Sequence, residues 1–253
     1  MELQLLGSLT VVRNGRRHNL ASKRVRTVLA LLALAPGQPV GFDHLVDQLW
    51  ADRRMENSRN ALQANIGRLR KFLESVTGDR GDQLVHTLYG GYLLNLPSEA
   101  VDAHRFLSLA ERGGAAAAAS RPEEAVRLLE EALRLWRGPA LLDLYEGPRL
   151  QLEASHLDEQ RLSAREDLIA AKLALGEERG IISELKQLTT QYPGRERFTE
   201  QLMLALYRNG RQTEALDVFH RTRRWLVSEL GLEPGRSLAE VYRSILSQTL
   251  VAD

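Results

Sequence analysis

At 253 residues, with 43% hydrophobic and 26% charged side chains, the chain is long enough for two packed domains and too apolar to be dominated by disorder. It contains no cysteine, which excludes disulfides, thiolate metal sites and cysteine nucleophiles together. The net charge of +1 joins two unlike parts: residues 1–97 carry 13 basic against 8 acidic side chains (+5), and the remainder 21 against 25 (−4). A basic head on an acidic body points to a polyanionic partner for the head. No apolar run is long enough to span a bilayer, and no basic region precedes the apolar residues of MELQLLGSLTVV. Neither a signal peptide nor a membrane partner is expected, and the setting read from the sequence is cytoplasmic.

Residues 3–20 alternate apolar and polar types around Asn14-Gly15, the preferred pair for a two-residue hairpin turn. Ser22 then offers an N-cap hydroxyl to the apolar helix VRTVLALLALA, which Pro36-Gly37 stops. A second short helix fits residues 42–50 with Asp43 as its cap. In the third helix, after Asn57 and Ser58, Leu62, Ile66, Leu69 and Leu73 fall on one stripe. At about 100° per residue the opposite face holds Asn60, Ala64, Gly67 and Lys71, flanked by Gln63, Arg68 and Arg70. Gly78 and Gly81 end this helix. LVHTLY and YLLNL then flank Gly90-Gly91, a second hairpin signal, and Pro97 closes the segment. Strands, three helices and a terminal hairpin in that order make a winged helix-turn-helix over residues 1–97.

From Val101 to the end, residues 101–253, every convincing segment is helical. RPEEAVRLLEEALRLW, EERGIISELKQLTTQY and RQTEALDVFHRTRRWL share one form, and aligning Ala125, Ile181 and Ala215 gives spacings of 56 and 34 residues. The second matches the tetratricopeptide period of about 34 residues. The first reflects an insertion, RLQLEASHLDEQRLSAREDLIAAKLALG, that reads as one long helix. The fold class is mainly α with a small β component: a winged helix-turn-helix followed by an all-α, tetratricopeptide-like domain. Its acidic, curved helical surface suits protein better than a phosphate backbone.

A DNA major groove admits one α-helix, whose polar side chains reach base edges while cations pair with phosphates. Asn60 and Gln63 present the donor–acceptor pair that matches adenine, and Arg68 can fork onto guanine. Ala64 and Gly67 permit close approach or contact a thymine methyl. Lys23, Arg24, Arg59, Arg70 and Lys71 are candidate phosphate contacts, which position without specifying. Thr87 and Tyr89 lie near the wing tip. Taken alone, Arg68, Arg70 and Lys71 are equally an ordinary solvated face; the cap, the hairpin and the basic head tip the reading toward DNA. No GxxxxGK(S/T) loop and no HExxH occurs, and the six histidines show no ligand spacing. No enzyme, cofactor or metal is expected. Trp50, Trp136 and Trp225 are read as packing residues. The competing reading is a repeat-based interaction scaffold whose basic head reads nothing.

LLGSLTVVRNG, SKRVRTVLALLAL, NALQANIGRLRKFLE and GGYLLNL resemble the DNA-binding domain of the Streptomyces antibiotic regulatory protein family, whose fold is like that of the OmpR effector domain. VDAHRF, EEALRLWRGPAL, QLMLALYRNGRQTEAL and ELGLEPG resemble the bacterial transcriptional activator domain that follows it in that family. The resemblance implies an activator of a biosynthetic gene cluster that binds tandem direct repeats as a homodimer on double-stranded DNA and recruits RNA polymerase. It places the recognition positions on Asn60, Gln63, Asn65, Arg68 and Arg70, and the wing positions on Thr87 and Tyr89. Two departures stand out: Tyr89 occupies a position that is often basic, and Gly67 one that is commonly larger. Neither an upstream receiver domain nor a downstream nucleotide-binding domain is expected.

Overall fold

The computed structural model describes residues 1–50, 57–144 and 147–249. The strand β1 (Glu2–Gln4) opens the chain with Leu3 fully buried between half-buried neighbours, the alternation a pleated strand imposes. It pairs antiparallel with β2 (Thr10–Arg13), which turns into β3 (Arg16–His18). Asn14 (φ 50°) and Gly15 (φ 73°) both take the positive φ that this turn needs. The helix α1 (Lys23–Ala33) buries Val25, Val28, Leu29 and Leu32. Ser22 stands at its N-cap position, but the expected hydroxyl bond is absent; the Ser22 carbonyl instead accepts from the Arg26 N–H at 3.0 Å.

A two-residue strand, β4 (Val40–Gly41), runs straight into α2 (Phe42–Trp50), so Asp43 lies in the first turn of that helix. The third helix, α3 (Ser58–Thr77), ends at Gly78, whose φ of 79° gives the left-handed cap and whose N–H donates to the Glu74 carbonyl at 2.9 Å. A short α4 (Gly81–Leu84) leads into the hairpin of β5 (Val85–Leu88) and β6 (Gly91–Leu94), and the second sheet has the order β4-β6-β5. The central turn residues are Tyr89 and Gly90, with Leu88 opposite Gly91, one residue earlier than the expected Gly90-Gly91. Gly90 alone supplies the positive φ of 83°. Gly91 serves a different need, since a Cβ there would collide with the Val40 carbonyl of β4.

After a short 3-10 turn at Ser98–Ala100 the chain is helical: α5 (Asp102–Ala118), α6 (Pro122–Arg134), α7 (Pro148–Ala174), α8 (Glu178–Gln191), α9 (Glu196–Arg208), α10 (Gln212–Trp225) and α11 (Arg236–Leu246). A π-helical turn, Leu226–Leu230, follows α10. The first residues of α6, α8 and α10 repeat the 56- and 34-residue spacings found in the sequence, and α7 is the long inserted helix of 27 residues. No helix among the described residues is long and apolar enough to cross a membrane.

By contact the chain resolves into two compact units, residues 1–111 with 130–162, and residues 112–129 with 163–253. The first unit thus takes in residues beyond Pro97, and specific bonds hold them. Buried Asp102 accepts from the N–H groups of Leu5 (2.6 Å) and Leu6 (3.2 Å) and from the Arg137 guanidinium (3.1 Å). Burial pushes the Asp102 carboxyl above the usual carboxylate range, against the pull of those donors. The Arg137 N–H donates to the Leu6 carbonyl and the Leu141 N–H to that of Leu5, at 2.8 and 2.9 Å. Asp143 accepts from Leu9 N–H (3.1 Å) and Arg26 (2.6 Å). In the second unit, buried Glu166 on α7 pairs with Arg195 at 2.5 Å, and Gln201 of α9 donates to its carbonyl at 2.7 Å. Phe219 of α10 stacks on Tyr242 of α11 with centroids 4.0 Å apart.

Candidate nucleic-acid interface

The apolar stripe of α3 fixes which side of that helix faces outward. Leu62, Leu69 and Leu73 are fully buried and Ile66 is 2% exposed, so the helix is anchored along its whole length on the core beneath it. The opposite side carries Asn60, Gln63, Ala64, Arg68 and Lys71, all exposed, with Gly67 half-buried among them. A Cβ at Gly67 would meet no atom of the described residues within 4 Å, so nothing in their packing requires glycine there. Arg59 lies at the exposed start of the helix with its guanidinium 4.9 Å from the Phe42 ring, and Arg24 of α1 sits 5.8 Å from the Trp50 ring. Lys23 is exposed in the first turn of α1.

Two of the residues assigned to the interface from sequence are placed elsewhere. Asn65 is 4% exposed, with its Nδ2 donating to the Ala61 carbonyl at 2.9 Å and its Oδ1 buried without a partner. It lies three residues after Leu62 and four before Leu69, inside the buried stripe, and does not face outward to read a base. The helical spacing holds that signal, and the resemblance to the family masks it. Arg70 is half-buried: its Nε and Nη2 both donate to the Val85 carbonyl, at 2.9 and 2.5 Å, and Nη2 also donates to Thr87 Oγ1 at 2.8 Å. Its guanidinium therefore faces the hairpin, where a free phosphate-seeking cation was expected. No spacing in the sequence announces this bond, because its partners lie 15 and 17 residues away.

At the hairpin, Thr87 is exposed, Tyr89 is fully exposed at the tip, and Leu88 is 43% exposed beside it. The Tyr89 ring gives the wing an apolar and aromatic tip. The arrangement therefore joins one rigid helix, with amides near its start and cations toward its middle, to a hairpin tied to the same helix. A helix so furnished has the width and the donor–acceptor chemistry of a major-groove reader. Among the described residues, no three His, Asp or Glu side chains are grouped to hold a metal ion.

Comparison with known proteins gives two family matches along the chain. A family model described as "Transcriptional regulatory protein, C terminal" matches residues 15–94, and one described as "Bacterial transcriptional activator domain" matches residues 101–246. The chain belongs to the Streptomyces antibiotic regulatory protein family. Members of that family are transcriptional regulators, and so is this chain. It is 43% identical over 249 residues to the transcriptional regulator RedD of Streptomyces coelicolor, a match that covers 98% of this chain and 71% of RedD. It is 34% identical to the regulatory protein DnrI of Streptomyces peucetius, covering 97% of this chain and 92% of DnrI. Among solved structures it is similar to Mycobacterium tuberculosis EmbR in complex with a low affinity phosphopeptide, with a TM-score of 0.93 and 34% identity. That match covers 98% of this chain and 65% of the EmbR chain. The EmbR structure shares the order of winged helix-turn-helix and helical domain along nearly the whole of this chain.

Proposed function

We propose that this regulator is a sequence-specific transcriptional activator of a secondary-metabolite gene cluster, binding tandem direct repeats near promoters and recruiting RNA polymerase. The observation that carries the DNA-reading part is the outward face of α3. Asn60, Gln63 and Arg68 can pair with base edges, Ala64 and Gly67 keep the helix axis close, and Lys71 reaches phosphate. Arg59, Lys23 and Arg24 extend the cationic border, and Tyr89 and Thr87 lie along the backbone or in the adjoining minor groove. Membership in the family supports the activator role, the operator type and binding as a homodimer on DNA. The acidic helical part serves protein partners, RNA polymerase or a second copy of the chain. A groove of about 570 Å³ in its second unit supports this, with Lys186 and Arg221 balanced by Glu214 and Asp217 beside the Trp225 ring, a mixture that suits a protein surface better than a phosphate backbone.

The test is binding to a duplex from the promoter beside the chain's own gene, at several salt concentrations. Affinity falls with a slope of roughly −0.9 in log–log terms for each phosphate neutralised. Arg68→Ala and Asn60→Ala cost about 1–3 kcal/mol on the best site and relax base preference, whereas Lys71→Ala weakens all sequences alike. Affinity that stays flat over a fourfold rise in salt removes the electrostatic docking that this reading needs.

A further inference from the structure

The guanidinium of Arg70 bridges the helix proposed to read the groove and the hairpin proposed to flank it. In the sheet order β4-β6-β5, strand β5 is an edge strand with no strand partner on its outer side among the described residues. The Val85 carbonyl on that strand accepts two N–H groups of Arg70, and the Thr87 hydroxyl accepts a third bond from the same side chain. The backbone at Arg70 is also where the root of the hairpin seats: a Cβ on buried Gly81 would lie 2.5 Å from the Arg70 carbonyl oxygen and 2.7 Å from its Cβ. One residue of α3 thus fixes the hairpin twice, by close packing below and by a charged fork above. Tyr89 is two residues beyond Thr87, at the free end of this braced strand.

We infer that Arg70 is a positioning residue: it sets the distance and angle between the outward face of α3 and the tip at Tyr89, and it does not itself neutralise a phosphate. A two-stranded hairpin is marginally stable by itself, so its direction depends on what braces it. Nη2 makes both contacts and Nε doubles the one to the carbonyl; a lysine ammonium stops one bond short of Nη2 and offers nothing in place of the Nε–H. This inference rests on the reading of α3 and the hairpin as one DNA-binding surface.

The experiment compares the full chain with Arg70→Lys, Arg70→Gln and Thr87→Val. Amide hydrogen exchange of the free proteins is followed over residues 85–92, and binding to the promoter duplex is measured against salt with hydroxyl-radical footprinting. The expected result is faster exchange in the hairpin of Arg70→Lys and Arg70→Gln, with the rest of the chain unchanged. Affinity should drop about tenfold, with an unaltered salt slope and a footprint that loses only the protection given by the wing. Thr87→Val should move the same readouts in the same direction by less. Unchanged exchange in Arg70→Lys overturns the inference. So does a Lys variant that binds like the parent while Gln lowers the salt slope by about 0.9, the mark of a direct phosphate contact. A parent chain that binds no duplex at low salt instead defeats the proposed function, and hydrogen exchange then still judges the brace.

Discussion

At Gly67 the interests of the fold and of the interface separate. Glycine inside a helix costs about 1 kcal/mol relative to alanine, and among the described residues no neighbour stands within 4 Å of the space a methyl group would fill. Gly67→Ala should therefore stabilise the protein by about 0.5–1 kcal/mol in urea unfolding while weakening binding to the promoter duplex. An alanine variant that is more stable and binds equally well would show that the gap on α3 has no role in approach. Asn65 makes the reverse case. Its Oδ1 is buried with no partner, a condition that costs about 1–3 kcal/mol. Asn65→Leu should hold or raise stability and leave the preferred base sequence unchanged; a changed preference would return Asn65 to the reading face. The place of Asn65 is legible on a helix wheel, between Leu62 and Leu69 on the buried stripe, whereas the open space beside Gly67 is seen only in the folded chain.

At the scale of elements, most of the molecule is legible in the chain itself. The stripe of Leu62, Ile66, Leu69 and Leu73 and the long α7 follow from local helical patterns, the first hairpin from the Asn14-Gly15 pair, and the starts of α6, α8 and α10 from spacings of 56 and 34 residues. The exceptions have a common cause. The wing turn sits one residue early because Gly91 is reserved for β4, and Arg70 faces inward because an edge carbonyl lies beside it. Both are contacts made across the chain. Gly91→Ala separates these influences, because the turn itself can accept alanine at that position while β4 cannot. It should destabilise the protein by about 1–3 kcal/mol through overpacking against the Val40 carbonyl, read as a lower urea midpoint with an unchanged slope.

For the molecule as a whole, the division of the sequence near Pro97 and the division by contact answer different questions. The family models meet between residues 94 and 101, whereas the first compact unit keeps residues 130–162. A fragment of residues 1–98 lacks Asp102, Arg137 and Asp143, and leaves the N–H groups of Leu5, Leu6 and Leu9 without their acceptors. Each such hydrogen bond to a carboxylate contributes about 1.5–3 kcal/mol net, which the shorter fragment loses as these donors return to water. The fragment should therefore melt well below a fragment of residues 1–162, as followed by circular dichroism. Equal melting temperatures would mean that the clasp adds nothing to the head. The same clasp sets a clock during synthesis. Ribosomes add about 5–20 residues per second, and the acceptor of the Leu9 N–H arrives 134 residues after its donor. For on the order of ten seconds the newborn segment between β1 and β2 waits with the N–H groups of Leu5, Leu6 and Leu9 unclasped. For that interval it is a client for chaperones before it is a reader of anything.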